Sequence, residues 1–526
     1  MQSVLQHCKT LILPFNCAFS AEAPVHPELC LPKPPKPPPD LPLEIWWEIF
    51  QFATYIHYSS TVKPMDPFTP CRTTTNANGP NTPYVAMKTK LSLVLVSKSW
   101  RKVGIRLLYQ HLVIRSPARA NALLQVLESS KTPPIELSDP VQLDTPPAAR
   151  TLGYGEWTRH VEVLTHVRGS RDIRFLQTTF QILRNCVNLQ MLSGRWMHGL
   201  PIEFLNGVAG MLGPRLSELY WNERTIKPDF IDTLSSPEFL GAFRALRVLD
   251  LRHWVGKELD SRSPDAERSE LPFVQDLILS THPRSLQTAT ILKLPRLSNL
   301  SLRNPAWKAG ITEELLKAFL KAHGAFLSSI DLSYPLTELE VDVDYHATRK
   351  GAAQLSLEPF LDPAVCPNLE TLTFSTVSPR FGPETHHPTL RRIALRGVTA
   401  DCLYPDKQTQ VTAHLKAIDE DKFPRLELVQ LSGFLVEAHT DSVIKDVCIW
   451  WVEHFEKKGV DFLDGEGVLW AYSEPEPEVG KTAEKTSKEA SSVENSSKDG
   501  PCLKETSLQT KEANKKAKIE QAETSP

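Results

Sequence analysis

The chain has 526 residues, 59 Lys+Arg against 62 Asp+Glu, a formal net charge of −3, and 43 prolines against 23 glycines. That balance argues against charge-driven binding to nucleic acid or to a membrane surface, and no run of about 18 apolar residues is present to span a bilayer. The nine cysteines are odd in number, irregularly spaced and without a CxxC pair, so a reducing compartment, cytoplasmic and/or nuclear, is expected rather than a secreted disulfide framework.

Residues 1–39 read as a disordered, proline-rich N-terminus. The stretch TLILPFNCAFS after Lys9 has a faint signal-peptide outline, but Pro14 and Asn16 interrupt its apolar run, so secretion is not expected. PKPPKPPP at 32–39 is a stiff polyproline-type spacer. The first helical segment is LPLEIWWEIFQFA, with Asp40 near the N-cap, Pro42 in the first turn and Glu44 where the helix dipole favours negative charge. Leu41, Ile45, Ile49 and Ala53 recur every four residues, and Trp46, Phe50 and Phe52 widen the apolar side. Residues 57–89, with Pro64, Pro67, Pro70, Pro80 and Pro83, read as a long flexible insertion. The second segment, LSLVLVSKSWRKVGIRLLYQHLVI from Leu91, carries Val96, Trp100, Val103 and Leu107 as one helical stripe and ends in an extended piece.

These two blocks resemble an F-box, in the form common among fungal F-box proteins. In that family the small helical module docks on the Skp adaptor of SCF ubiquitin ligases. The resemblance maps the family's leucine–proline pair and following isoleucine onto Leu41, Pro42 and Ile45, and its later valine and tryptophan onto Val96 and Trp100. It implies that these residues contact the adaptor or hold its surface in shape; Ile49, on the first stripe, joins the adaptor-binding candidates. Family members usually join the helices by a short turn, whereas about 33 residues intervene here; a long surface loop costs little if its ends stay close. Without the resemblance, the same blocks make a hydrophobic helical hairpin packed on the rest of the chain.

Residues 116–150 read as a linker: a helix starting at Ser116 and Pro117, then a proline-rich loop over 132–149. WTRHVEVL is the expected first strand, with Val161 and Val163 on one face. From there to 472 a pattern of apolar residues at n, n+3 and n+5 recurs eight times, starting at Leu189, Leu216, Leu246, Leu297, Leu327, Leu369, Leu390 and Leu426. The n+3 and n+5 side chains share one side of a short strand, and n closes the turn leading in. A single unit cannot bury its face alone, so neighbours must share a core. The array resembles leucine-rich repeats, which implies an α/β (α+β) fold: a helical F-box module followed by an irregular leucine-rich-repeat-like solenoid. The spacings run 27, 30, 51, 30, 42, 21 and 36 residues, and the longest gap has room for a further copy at Val274, Leu277 and Leu279. The first copy has Gly194 in third place, and the repeat family's asparagine at n+8 is not consistent. Prolines 214, 295, 367, 388 and 424 stand two places before a first leucine, where a fixed φ suits a strand entrance. A helix is expected over 312–323 with Leu315, Phe319 and Ala322 on one face. A capping helix is expected over 441–458 with Val443, Val447, Trp450, Trp451 and Phe455 apolar, followed by a last strand in VDFLDGEGVLW. Residues 473–526 hold 9 Lys and 11 Asp+Glu and no aromatic, and read as a disordered charged tail; Lys511 to Lys518 there outlines an import signal, or a plain solvated charge run.

No phosphate-binding loop, GxSxG elbow or HExxH is present. VDVD at 341–344, His386 with His387, and DFLDGEG at 461 are read as loop or exposed-face residues rather than metal sites. No catalysis, cofactor or metal is expected. By resemblance the chain is the substrate-recognition subunit of an SCF-type cullin ligase, with a Skp adaptor and cullin complex at one end and an unidentified protein substrate at the other; neither nucleic acid nor membrane is an expected partner. The alternative is a non-catalytic repeat scaffold without a ligase role. Outward strand residues expected to meet a substrate include Arg247, Asp250, Ser298, Ser301, Glu370, Thr373, Arg391, Arg392 and Ala394.

Overall fold

The structure is a computed structural model that describes residues 41–69, 81–131, 153–165, 173–223, 236–254, 256, 269–280, 283–303, 313–332, 355–436 and 442–470. The proline-rich N-terminus with Asp40, the 132–149 loop, VDVD and the charged tail with its lysine cluster lie outside these residues.

Four helices open the described chain: α1 (Leu43–Ala53), α2 (His57–Ser60), α3 (Pro83–Val96) and α4 (Lys98–Gln110). The α1 helix starts one residue after Pro42, whose carbonyl accepts from the Ile45 and Trp46 amides. The single helical stripe expected through Val96 and Trp100 is interrupted. Ser97 is extended, at φ −155° and ψ 167°, and its hydroxyl accepts from the Trp100 amide. This N-cap starts a new helix, so Val96 ends α3 while Trp100, Val103 and Leu107 belong to α4. Phe50, Val103 and Leu107 are buried together, with Trp46, Trp47, Leu93 and Trp100 packed on them.

The chain then passes directly into a sheet. Strand β1 is His111–Ile114, so the sheet begins one strand earlier than expected, inside the second apolar block. Next come α5 (Pro117–Ser129), capped by the Ser116 hydroxyl, and β2 (His160–Leu164). The series continues with α6 (Ile173–Asn185), β3 (Met191–Arg195), α7 (Ile202–Leu212), β4 (Glu218–Asn222), α8 (Pro237–Gly241), β5 (Val248–Asp250) and β6 (Asp276–Ser280). Then follow α9 (Pro283–Ile291), β7 (Asn299–Arg303), α10 (Glu313–His323), β8 (Ser329–Leu332), β9 (Thr371–Ser375), β10 (Arg392–Arg396), α11 (Gln410–Ala417), β11 (Leu428–Ser432), α12 (Ser442–Glu456) and β12 (Asp461–Leu463). The twelve strands form one open sheet in strict chain order, and every neighbouring pair is parallel.

All eight sequence copies supply strands, β3–β5 and β7–β11, and the copy sought in the long gap is β6. The anchors Leu219, Leu249, Leu277, Leu300, Ile330, Leu372, Ile393 and Val429 are almost fully buried in one continuous core with the helices. First leucines close turns as expected: the Leu246, Leu297, Leu327, Leu369 and Leu426 amides each donate to a carbonyl three residues back. Gly194 is not a defect. A Cβ there would collide with the Trp196 ring, which lies 5.2 Å from Trp221 and fills the third anchor's place.

A backbone ladder runs across the sheet one residue after each first leucine. One carbonyl ahead of each strand accepts from two successive amides of the next unit. Arg159 serves Gln190 and Met191, Gln190 serves Ser217 and Glu218, and the relay continues through Ser217, Arg247, Gln275, Ser298, Ser328, Glu370 and Arg391. Main-chain groups thus satisfy one another without a side chain, which frees the loops to vary in length.

Two helix faces differ from expectation. In α10 the buried residues are Leu316, Phe319, Leu320 and His323, and Ala322 is exposed, because the His323 ring reaches the Ala289 carbonyl of the neighbouring helix at 3.0 Å. In α12, Trp451 and Phe455 are buried while Val443 and Trp450 are exposed. Trp451 is drawn inward by its Nε1–H bond to the Leu403 carbonyl, 2.7 Å.

Candidate docking surfaces on the helical module and the sheet

The helical module carries two distinct apolar faces. Its inner face is aromatic: the Trp100 ring lies 4.7 Å from Trp46 and 4.9 Å from Phe50. Its outer face is not covered by any of the described residues. Ten of the nineteen exposed large hydrophobics among the described residues fall between Leu43 and Val96. Of the adaptor candidates, Ile45 and Ile49 are each 42% exposed, Val96 is 60% exposed and Pro42 is exposed. Leu41 is half-buried, and Trp100 is half-buried within the module's own core. Ile45, Ile49 and Val96 thus present surface, and Trp100 packs inside the module. Phe52, which the sequence places on the apolar side of the first helix, is 81% exposed, and Leu95, which the sequence did not single out, is 74% exposed. Lys90 is buried in this module, and burial pushes its ammonium down to about 8.

The sheet has one face on the helices and one open face, on which residues align in rows across the strands. One row runs from His111 and His160 through Glu218 and Asp276 to Arg392 and Asp461. The His111 and His160 rings stack 4.2 Å apart and 3° from parallel. Burial, and then the neighbouring His111, hold His160 well below the ordinary histidine range. The rows beyond it hold paired charges. Arg303 and Arg396 both donate to Asp331, at 3.1 and 3.3 Å, and Arg252 forks onto Asp250. Arg195 and Arg252 lie 5.9 and 5.6 Å from the Tyr220 ring centre. Burial alone would raise the Glu162 carboxyl, but His111, Arg195 and Arg115 hold it below its usual value.

Of the outward residues expected at a substrate surface, Asp250, Ser301, Thr373, Arg392 and Ala394 lie on these rows. Arg247, Ser298, Glu370 and Arg391 do not; they stand one residue ahead of their strands, on the carbonyl ladder. The sequence pattern places the n+1 residue at the strand's threshold rather than on its face.

The greatest departure concerns residues 57–69, expected to be part of a flexible insertion. They lie across the open face, along the His111–Arg392 row. Tyr58 meets the His111 ring edge-on at 6.2 Å, and the Ser59 backbone bonds His160. The Thr61 hydroxyl and the Val62 amide donate to Glu218, at 2.8 and 2.7 Å. Lys63 pairs with Asp276 at 2.6 Å, and the Phe68 ring lies 5.1 Å from the Arg392 guanidinium. Residues 83–89, also assigned to the insertion, are the first turns of α3; 70–80 lie outside the described residues. A signal for the crossing was present: Lys63 and Asp66 each precede a proline, which drives the backbone out of the helical region.

Two of the motifs weighed as metal sites have other roles here, and VDVD lies outside the described residues. His387 is buried and bonds the Cys366 carbonyl at 2.9 Å, and Asp464 caps its own turn by accepting from the Glu466 and Val468 amides and from Trp470. Among the described residues no group of three or more His, Cys, Asp or Glu is placed to hold a metal, and no helix is long and apolar enough to cross a membrane.

No protein-family model matches the chain, and no curated protein does. Among solved structures the chain is similar to a Bacteroides fragilis protein, at 12% identity and a TM-score of 0.26, over 54% of this chain and 68% of that one. It is also similar to a chain in the yeast Rad7 and Elc1 complex, at 12% identity and a TM-score of 0.25, over 64% of this chain and 75% of that one. Both scores are too low to carry an argument about fold or function.

Proposed function

We propose that this protein is a non-catalytic substrate receptor of an SCF-type cullin ubiquitin ligase. The helical module binds the Skp adaptor through Leu41, Pro42, Ile45, Ile49 and Val96, with Trp100 holding that surface from inside. The sheet, read as an irregular leucine-rich-repeat-like solenoid, holds a protein substrate. The chain's contribution is proximity: it raises the local concentration of a substrate lysine near a charged enzyme carried by other subunits.

The observation that carries this reading is the outer face of the module, which none of the described residues covers. A small domain that seals its own core with Phe50, Val103 and Leu107 has no internal use for Ile45, Ile49 and Val96 at 42%, 42% and 60% exposure. Exposed large apolar side chains gathered on one small module favour a docking role. Co-purification of the recombinant chain with a Skp adaptor tests it. Ile45→Glu combined with Val96→Glu abolishes the complex while leaving the chain folded, the loss of stability being about 1 kcal/mol at Ile45 and about 0.5 kcal/mol at Val96. Full adaptor binding by the double variant refutes the assignment.

A further inference from the structure

The segment that crosses the sheet is held loosely for its position. None of residues 57–69 is fully buried, and Lys63 remains 42% exposed in its ion pair. Its hold is a few polar and ring contacts, the kind of element that opens locally at low free energy. The fit is also incomplete. A cavity of about 180 Å³ remains between residues 63–67 and the sheet, lined on the sheet side by Asn299, Ser301, Asp331 and Thr371.

The row beneath carries carboxylates whose partners include the segment. Burial pushes the Glu218 carboxyl up, and Asp276 adds like-charge repulsion; the Val62 amide, the Thr61 hydroxyl and the Lys63 ammonium offset these only in part. Removing the crossing segment would take two hydrogen bonds from Glu218 and the 2.6 Å ion pair from Asp276. A replacement that matches these contacts brings a hydroxyl and a backbone donor at β4, a cation at β6 and a ring at β10.

We infer that this row is a binding surface for an extended protein segment, and that residues 57–69 occupy it as an internal ligand. The competing segment presents a hydroxyl residue, a lysine two positions later and an aromatic five positions after that, as Thr61, Lys63 and Phe68 do. A tethered ligand enjoys an effective concentration of millimolar order, so a partner displaces it by filling the cavity better. The inference rests on the receptor reading only in calling that partner a substrate. Its test reads the row itself and is untouched by loss of adaptor binding.

The probe is a fluorescein-labelled peptide of residues 57–69, titrated into the full chain. Thr61→Ala, Lys63→Ala and Phe68→Ala together loosen the internal segment. The loosened chain binds the peptide with a Kd below about 1 mM, at least tenfold tighter than the wild-type chain does. Adding Glu218→Ala and Asp276→Ala removes that binding. No binding by the loosened chain, or equal binding by all three, overturns the inference. Hydrogen exchange on the wild-type chain decides independently of any variant. The Val62 amide exchanges at least a hundredfold faster than the amides of β6 and β7; exchange only on global unfolding shows a permanent strut and overturns the inference as well.

Discussion

The division of the module into a sealed inner face and an open outer face makes a sharp contrast between two residues five positions apart on α1. Phe50 is 1% exposed, with Trp46 and Trp100 ring centres 5.7 and 4.9 Å away, and it sits in a core of only three fully buried hydrophobic residues. A buried phenylalanine hides about 200 Å², or about 5 kcal/mol at 25 cal/mol/Å², an upper figure because the unfolded chain is partly compact. Phe50→Ala is therefore expected to cost about 3–5 kcal/mol. Ile45 keeps 42% of its exposure. Burial of the remainder contributes roughly 1 kcal/mol, so Ile45→Ala costs no more than about that. Hydrogen exchange along a urea titration reads the difference, because the amides of α1 and α4 report the module apart from the sheet. Phe50→Ala makes the α1 and α4 amides exchange at lower urea than those of the sheet strands, and Ile45→Ala leaves the two sets close together. Equal losses from the two substitutions, or a larger loss from Ile45→Ala, would refute the assignment of inner and outer faces.

Three further outcomes follow. Burial lowers His57, His160, His323, His387 and His414 below the ordinary histidine value, so below about pH 6.5 the unfolded chain takes protons the native chain refuses. Their stabilisation is present above pH 6.5 and is lost as pH falls through it. The urea midpoint should drop between pH 7.5 and 5.5, although the raised Glu218 carboxyl acts in the opposite direction; a rise in the midpoint contradicts the reasoning. Lys90, lowered to about 8 by burial, makes the native chain refuse a proton that the unfolded chain binds up to about pH 10.5, so Lys90→Met should stabilise the module at pH 7 by roughly 3 kcal/mol. Thermal unfolding checks this, and an unchanged or lower midpoint counts against it. Asp331→Ala leaves Arg303 and Arg396 without their shared carboxylate and should cost about 3–5 kcal/mol in urea titration, far more than a surface ion pair such as Lys317–Glu313 would.

The repeats were legible because one requirement recurs. Each strand of the sheet must send two apolar side chains into a shared core, and a turn must close just before it, so Leu246, Leu249 and Leu251 or Leu390, Ile393 and Leu395 repeat the same spacing whatever the loop between them. Even the hidden copy at Leu277 and Leu279 obeyed it. The break at Ser97 was less visible, since Val96 and Trp100 keep helical spacing on both sides of it, and only the hydroxyl cap and extended backbone end the helix. The faces of α10 and α12 turned on single polar atoms, the His323 ring and the Trp451 Nε1–H, each finding a carbonyl on a neighbouring element.

What the sequence alone determined is therefore the local and periodic part: strand after strand of one parallel sheet, the helices between them, and an apolar helical module ahead of them. Those features depend on side-chain spacing within a dozen residues. Only the tertiary structure decided which face of the module is sealed by Phe50 and Trp100, that β1 joins the module to the sheet, and that residues 57–69 lie along the row from His111 to Arg392. The contacts of Thr61 and Val62 with Glu218 bridge more than 150 residues of chain. No local propensity encodes such a pairing; it exists only once the stacked strands have brought Glu218, Asp276 and Arg392 into one register.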